Sequence, residues 1–301
     1  GAGVTPGVRR VARAAGGVML LILASRVLGF VRERAIAEIF GLTGETDAFR
    51  AAFNIPDLMY FLLVGGAIGS AFLPVFTAYL ARGEEEEGWR LASTFVNATA
   101  LLLLLVTAVG ILLAPWLAPL VAHGFSGPQE ALLVHLMRLM FPAVFFTALA
   151  GVGMGIHQAY QRYHVALLGP IFYNTAITLG AYLLGPRLGI TGLALGTVAG
   201  AVGNFLIQVP FVWSRARRFR WRWDLRHPGL RRVLRLMVPT VIGLSAYQVN
   251  TLVMTNLASG LPAGSITALN LANRLVQLPL GVFGMGLAMV TFPVLTHLAT
   301  R

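Results

Sequence analysis

The sequence predicts an all-α polytopic membrane protein of about eight transmembrane helices, on three observations. Of its 301 residues, 57% are hydrophobic and the mean hydropathy is +0.76, above the roughly 45–50% apolar usage of soluble domains. Apolar runs of about 20 residues with few charges recur along the chain. They lack the alternating polarity of membrane β-strands, as LLLLLVTAVGILLAPWLAPL (101–120) shows, so helices must satisfy the backbone in lipid.

The first span, about 15–40, runs into the charged stretch SRVLGFVRERAIAEIFG. It is therefore expected to be a retained helix and not a cleaved signal peptide. The second, about 48–81, opens with a polar stripe and is interrupted by Pro56. GEEEEGW (83–89) reads as a solvated loop without metal-ligand spacing, entering a third span at about 91–122. The fourth, about 130–156, holds Arg138, whose apolar stem can carry its charge to the interface. Spans at about 164–185 and 190–213 precede the basic segment WSRARRFRWRWDLRHPGLRRVLR (213–235). Two more, at about 231–258 and 265–299, complete the set.

Arginine placement orients these spans, because cytoplasmic loops are enriched in basic residues. Arg9, Arg10 and Arg13 at the N-terminus, Arg82 and Arg90, Arg162 and the nine arginines of 213–235 all fall on one side. The loops near 41–46, 123–129 and 259–264 have no basic residue, and Arg187 is the exception on that side. The N-terminus is thus expected in the cytoplasm, with 1–213 as an N-lobe, 214–230 as a basic cytoplasmic linker and 231–301 as the start of a C-lobe. A net charge of +12 with Trp221 and Trp223 superficially suits nucleic acid. In a membrane protein such a stretch marks orientation and anionic headgroups instead, so no nucleic acid partner is expected.

All 23 basic residues are arginine and there is no cysteine. Disulfides, thiolate catalysis, a Walker A lysine and a pyridoxal phosphate Schiff base are excluded within this sequence. The six histidines fall on six different loops or spans with no metal-binding pair, so they read as structural or interfacial. No catalytic grouping appears, no enzyme is expected, and neither is a bound metal.

AFLPVFTAYLAR, ending the second span, resembles VTFPVLTHLATR, ending the eighth. At one constant offset Pro74 matches Pro293, Thr77 matches Thr296, Arg82 matches Arg301, Asn54 matches Asn273 and Gly65 matches Gly284. Six spans separate the copies, so both run the same way through the bilayer. Parallel repeats of this kind form the halves of several secondary transporters, with the substrate between them. The expectation is a chain trimmed at its start and lacking the remainder of its second half; an eight-span protein is the alternative.

Charges at the middle of a membrane helix cost about 2.5–3.5 kcal/mol even on insertion scales, so several imply a wet cavity. Asp47, Arg50, Asn54 and Asp57 fall within about 80° of arc, and Asn270, Arg274 and Gln277 within about 60°. On the first span Arg26 and Glu33 share a face, while a straight helix turns Arg32 and Arg34 elsewhere unless it bends at Gly29. Arg34 and Glu38 would pair with each other or reach water near the interface. Arg26, Arg32, Arg274 and Asp47 are the principal cavity candidates, with Glu33, Arg50, Asn54, Asp57, Asn270 and Gln277 secondary. Guanidinium groups stay charged when buried and bind phosphate bidentately, so an arginine-rich, acid-poor cavity suits a phosphate or pyrophosphate.

SRVLGFVRE (25–33), TDAFRAAFNIPD (46–57), GAIGSAFLPVF (66–76) and ALNLANRLVQLPLGVFG (268–284) resemble the MurJ (MviN) lipid II flippases of the MOP exporter superfamily, in order along the whole chain. The resemblance implies a MOP-type two-lobed helical transporter, here a complete N-lobe plus the start of the C-lobe. It implies alternating access that moves an undecaprenyl-pyrophosphate-linked peptidoglycan precursor to the outer leaflet of the bacterial cytoplasmic (inner) membrane. The family's cavity arginines carry over to Arg26, Arg32 and Arg274, and its acidic position opening the second helix to Asp47, which would orient an arginine or close the outer gate. This sequence departs from the family at Glu33, often Asp there; at Tyr60 and Phe61, where many members are basic; and at Gly65, where an acid is common. Expected partners are the lipid-linked precursor, membrane lipids and other cell-wall synthesis proteins. With no nucleotide site, a coupling ion or the membrane potential would drive opening. The alternatives are an exporter of another polyprenyl-linked glycan and a non-transporting membrane scaffold built on residues 215–235.

Overall fold

A computed structural model describes the backbone of residues 6–299, and side chains through residue 280 together with Phe283 and Leu287. The described backbone is eight helices joined by short turns: α1 Pro6–Ile39, α2 Gly44–Ala81, α3 Glu85–Val121, α4 Pro128–Ala159, α5 Tyr163–Leu188, α6 Ile190–Arg218, α7 Pro228–Ala258 and α8 Ser265–Ala299. Each coincides with one sequence-predicted span, extended by a few residues at its polar ends. Of the repeat partners, Gly284, Pro293, Thr296 and Arg301 lie outside the residues whose surroundings are described, as does the His297 side chain.

Local chemistry explains the helix ends. Thr43 caps α2, its Oγ1 accepting from Thr46 N at 3.3 Å, while Glu45 and Asp47 place negative charge in the first turn, where the helix dipole favours it. The acidic run does the same for α3, as Glu85, Glu86 and Glu87 form its first turn; it is helix and not the loop expected. Arg215, Arg217 and Arg218 complement the C-terminus of α6, so the segment expected as a linker from 214 is helical up to Arg218. α1 continues as helix through Gly29.

In α2 the α-helical pattern widens to π-helix over Phe61–Phe72 before returning to α-helix. Ser70 Oγ donates to the Gly65 carbonyl at 2.9 Å within it. α7 packs here: a Cβ on Gly66 would lie 3.2 Å from Leu244 Cδ1 and 3.5 Å from Val241 Cγ2. π-segments are rare and concentrate at functional sites.

α1–α6 pack as one bundle, with α4 at its centre and α7 and α8 lying against α2. One core at the Asp47 end gathers Ala48, Phe49, Leu133, Leu136 and Met137. A second, at the arginine-rich end, gathers Phe72, Phe76, Trp89 and Phe95. Small residues let helices meet closely, as in membranes generally: a Cβ on Gly180 would lie 2.8 Å from the Gly196 Cα. Outward faces stay apolar, with Leu101, Leu104, Leu112 and Trp116 of α3 exposed, as a lipid-facing surface requires. The molecule is a multi-pass membrane protein.

The basic segment after α6 is knitted to the bundle. Trp221 Nε1 donates to Asn97 Oδ1 at 2.8 Å, Asp224 N to Thr94 Oγ1 at 2.8 Å, and His227 Nε2 lies 3.0 Å from Glu87 Oε2. Beside it Trp89 Nε1 donates to Tyr160 Oη, which donates to Glu85 Oε1 at 2.6 Å. Burial, with that bond to Glu85, pushes the Tyr160 phenol well above the usual tyrosine range.

Candidate functional site

Glu33 of α1 is the point on which the membrane-embedded arginines converge. Arg50 of α2 donates through Nη2 to Oε2 at 2.5 Å and through Nη1 to Oε1 at 3.3 Å. Arg32 Nη2 and Arg274 Nη1 of α8 each reach Oε1 at 3.1 Å. Three guanidinium groups thus surround one carboxylate, leaving a surplus of two positive charges. Glu33 and Arg50 are buried, at 7% and 4% exposure, so the ion pair stands in a medium where losing either partner is expensive. Arg32 also donates to Asn174 Oδ1 at 3.0 Å and lies over the Phe53 ring at 5.7 Å. The buried Nε atoms of Arg32 and Arg50 have no acceptor among the described residues.

Two cavities flank this cluster. A cleft of about 570 Å³ between α1 and α8 is lined by Arg26, Glu33, Arg274 and Gln277, and by apolar side chains such as Phe30 and Leu275. Arg32 and Asp57 line a second cavity, among α1, α2, α4, α5 and α6.

Asp47 sits elsewhere, at the far end of α2. Its Oδ1 accepts from Thr267 N at 2.9 Å and Thr267 Oγ1 at 2.7 Å, and its Oδ2 accepts from Gly264 N at 2.7 Å. It caps the start of α8 and makes no ion pair with an arginine among the described residues. Gly264 has φ +91 there, a conformation that suits glycine alone. The same seam continues to α7: Gly124 N donates to Ser259 Oγ at 2.8 Å, Asn256 Nδ2 to the Leu120 carbonyl at 2.6 Å, and His123 Nδ1 meets Asn256 Oδ1. Asn54 Nδ2 donates to Thr255 Oγ1 at 2.9 Å below it. Asp47→Ala would strip three donors of their acceptor and is expected to weaken the seam by about 1–2 kcal/mol. Greater labelling of a cysteine introduced at Ile266, which is buried in this seam, would report it; unchanged labelling would mean that Asp47 does not hold the seam.

The structure therefore gathers Arg32, Glu33, Arg50 and Arg274, with Arg26 beside them, and separates Asp47 and Asn54 at the seam. Asn270 bonds to its own helix at Ile266 O, and Gln277 donates to Tyr247 Oη of α7. Arg34 and Glu38 are exposed and do not pair; Glu38 accepts from Tyr182 Oη at 3.0 Å. Arg138 is exposed and donates through Nε to the Ile111 carbonyl at 3.1 Å. Sequence reasoning missed Asn174, Tyr173 and Asn204 of the second cavity, whose signal is an amide or phenol inside an otherwise apolar span. It also missed the seam contacts of His123, Asn256 and Ser259, which carry no pattern in sequence.

Residues 36–301 match the family model described as Lipid II flippase MurJ. The lipid II flippase MurJ of Burkholderia cenocepacia is 32% identical over 287 residues, covering 91% of this chain and 55% of that protein. The solved structure of a lipid II flippase MurJ in an inward closed conformation matches with TM-score 0.74 at 25% identity, over 88% of this chain and 55% of the other. An inward-facing multidrug resistance MATE family transporter of the MOP superfamily shares the fold, with TM-score 0.66 at 15% identity over 87% of this chain and 62% of that one. The chain spans about half the length of the curated relatives it matches. On the family match and the shared fold, the chain belongs to the MurJ lipid II flippase family.

Proposed function

We propose that the complete protein moves a polyprenyl-pyrophosphate-linked peptidoglycan precursor from the inner to the outer leaflet of a bacterial inner membrane. The observation that carries this is the convergence of Arg32, Arg50 and Arg274 on Glu33 beside an amphipathic cleft. A pyrophosphate brings more negative charge than one carboxylate and fits guanidinium forks bidentately. Arg274 would leave Glu33 for the substrate, with Arg26 and Arg32 completing the contact. The apolar side of the cleft would accept the start of the lipid chain.

Asp47 acts as the clasp of the outer gate, and its release from Gly264 and Thr267 would open the cavity to the other leaflet. The N-terminus and the arginine-rich helix ends lie in the cytoplasm, α1–α6 form the N-lobe, and α7 and α8 begin a second lobe. Transport involves no catalysis by the chain. A coupling ion or the membrane potential supplies the bias, worth about 2.3 kcal/mol per charge moved through 100 mV. Other cell-wall synthesis proteins would receive the product at the outer face.

Growth rescue tests this. In a bacterium depleted of its own flippase, the complete protein is expected to restore growth, and Arg26→Ala, Arg32→Ala and Arg274→Ala versions, present at equal levels in the membrane, are not. Equal rescue by all of them would remove the arginine mechanism.

A further inference from the structure

The second cavity holds about 260 Å³, and Gly29 of α1 belongs both to its wall and to that of the cleft. Its wall gathers the Asp57 carboxylate, the Tyr60 and Tyr173 phenols, the Thr147 hydroxyl and the Asn204 amide. The first four make no hydrogen bond or ion pair with any described residue, and Asn204 uses only its Oδ1, accepting from Gln208. Thr147 and Asn204 are buried, at 8% and 4% exposure. Asp57 is open to solvent, so a ligand that displaces water from this wall must offer donors and acceptors together.

The remaining lining narrows the chemistry. Arg32, whose guanidinium is held by Asn174 and Glu33, stands against a metal ion, and no group of three acidic or histidine side chains gathers among the described residues. Asp57 stands against a free phosphate. Phe53, Tyr60 and Tyr173 present aromatic rings, and a ligand pocket commonly pairs such apolar walls with a few orienting polar groups. A pyranose ring matches both halves: its C–H faces lie on aromatic rings, and each of its hydroxyls both donates and accepts.

We propose that this cavity is a saccharide subsite that takes a sugar ring of the lipid-linked headgroup, with Asp57 accepting from ring hydroxyls and Asn204 donating to a ring or acetamido oxygen. The subsite rests on the flippase reading, in which the pyrophosphate sits at the arginines of the cleft. Arg32 joins the two places, since it lines the cavity and bonds to Glu33 on the cleft wall. A sugar bonded directly to the pyrophosphate would pass beside Gly29, where an added Cβ meets nothing within 4 Å.

Three probes test this on the full chain purified in detergent: polyprenyl pyrophosphate, the same lipid carrying an N-acetylated disaccharide, and the soluble disaccharide. Asp57→Ala and the nearly isosteric Thr147→Val are expected to weaken binding of the disaccharide lipid at least tenfold and that of the sugar-free lipid less than twofold. Thr147→Val keeps the cavity's shape, so its result stands even where Asp57→Ala lowers stability. The soluble disaccharide is expected to bind at least a hundredfold more weakly than the lipid-borne one; equal affinity would overturn a lipid-linked subsite. Variants that keep the wild-type ratio between the two lipids would overturn the subsite and leave the flippase reading standing. A wild type that binds neither lipid would overturn both.

Discussion

Arg50→Leu is expected to lower the stability of the folded protein by about 3 kcal/mol, the lower end of what breaking a buried ion pair costs. Arg50 makes both of the bonds that hold Glu33 from α2, one of them at 2.5 Å, and neither side chain reaches solvent appreciably. Arg32 and Arg274 would remain on Oε1, but Oε2 would lose its only ion-pair partner among the described residues. The double variant Glu33→Gln with Arg50→Leu is expected to lose less than the sum of the two single losses, because each single variant already breaks the same Glu33–Arg50 bonds. Unfolding midpoints in detergent measure both. Additive losses in the double variant would show that the two residues are not coupled, and the description of Glu33 as a shared counterion would fail.

Gly124→Val is expected to prevent the seam from closing. A Cβ at Gly124 would lie 2.3 Å from Gly260 N and 2.4 Å from the Ser259 carbonyl carbon. Those are backbone atoms, so no side-chain rotation relieves the overlap, and α7 must move away from the α3–α4 turn. The bonds from Gly124 N to Ser259 and from Asn256 to Leu120 then lengthen together. The chain has no cysteine, so a cysteine placed at buried Ile266 is a unique reporter. Its labelling by a water-soluble maleimide is expected to rise more than tenfold in the Gly124→Val background. Labelling equal to that of the parent would show that the seam tolerates the side chain and is looser than the contacts indicate.

Apolar run length located all eight helices, because a span is dictated by the thickness of hydrocarbon it must cross. The polar stripe of α2 was legible in the same way, since Asp47, Arg50, Asn54 and Asp57 repeat at helical spacing. Their separate roles were not. Periodicity fixes a face but not depth, and Asp47 and Asp57 lie ten positions apart, about 15 Å along a helix. Arg32 escaped the helical-wheel reading for a different reason: a long guanidinium stem can wrap to a neighbour that a straight wheel places elsewhere, and it reaches adjacent Glu33 at 3.1 Å. Glu33 itself looked secondary because its importance depends on Arg50 and Arg274 arriving from other helices. The widened turns after Pro56 left no signature in FLLVGGAIGSAF that distinguishes them from ordinary helix.

That widened stretch gives α2 a mechanical property of its own. Residues in a π-helix bond one position further along than in an α-helix. Moving a junction between the two forms by one residue therefore keeps nearly every backbone bond, yet changes the twist and the length of the helix at that point. The joint itself is held against α7 at Gly66; its N-terminal side carries Arg50 toward Glu33 and Asp47 toward α8. A local exchange of hydrogen-bond register at Phe61–Phe72 could thus re-aim both acidic and basic contacts in one stroke, without melting a turn of helix.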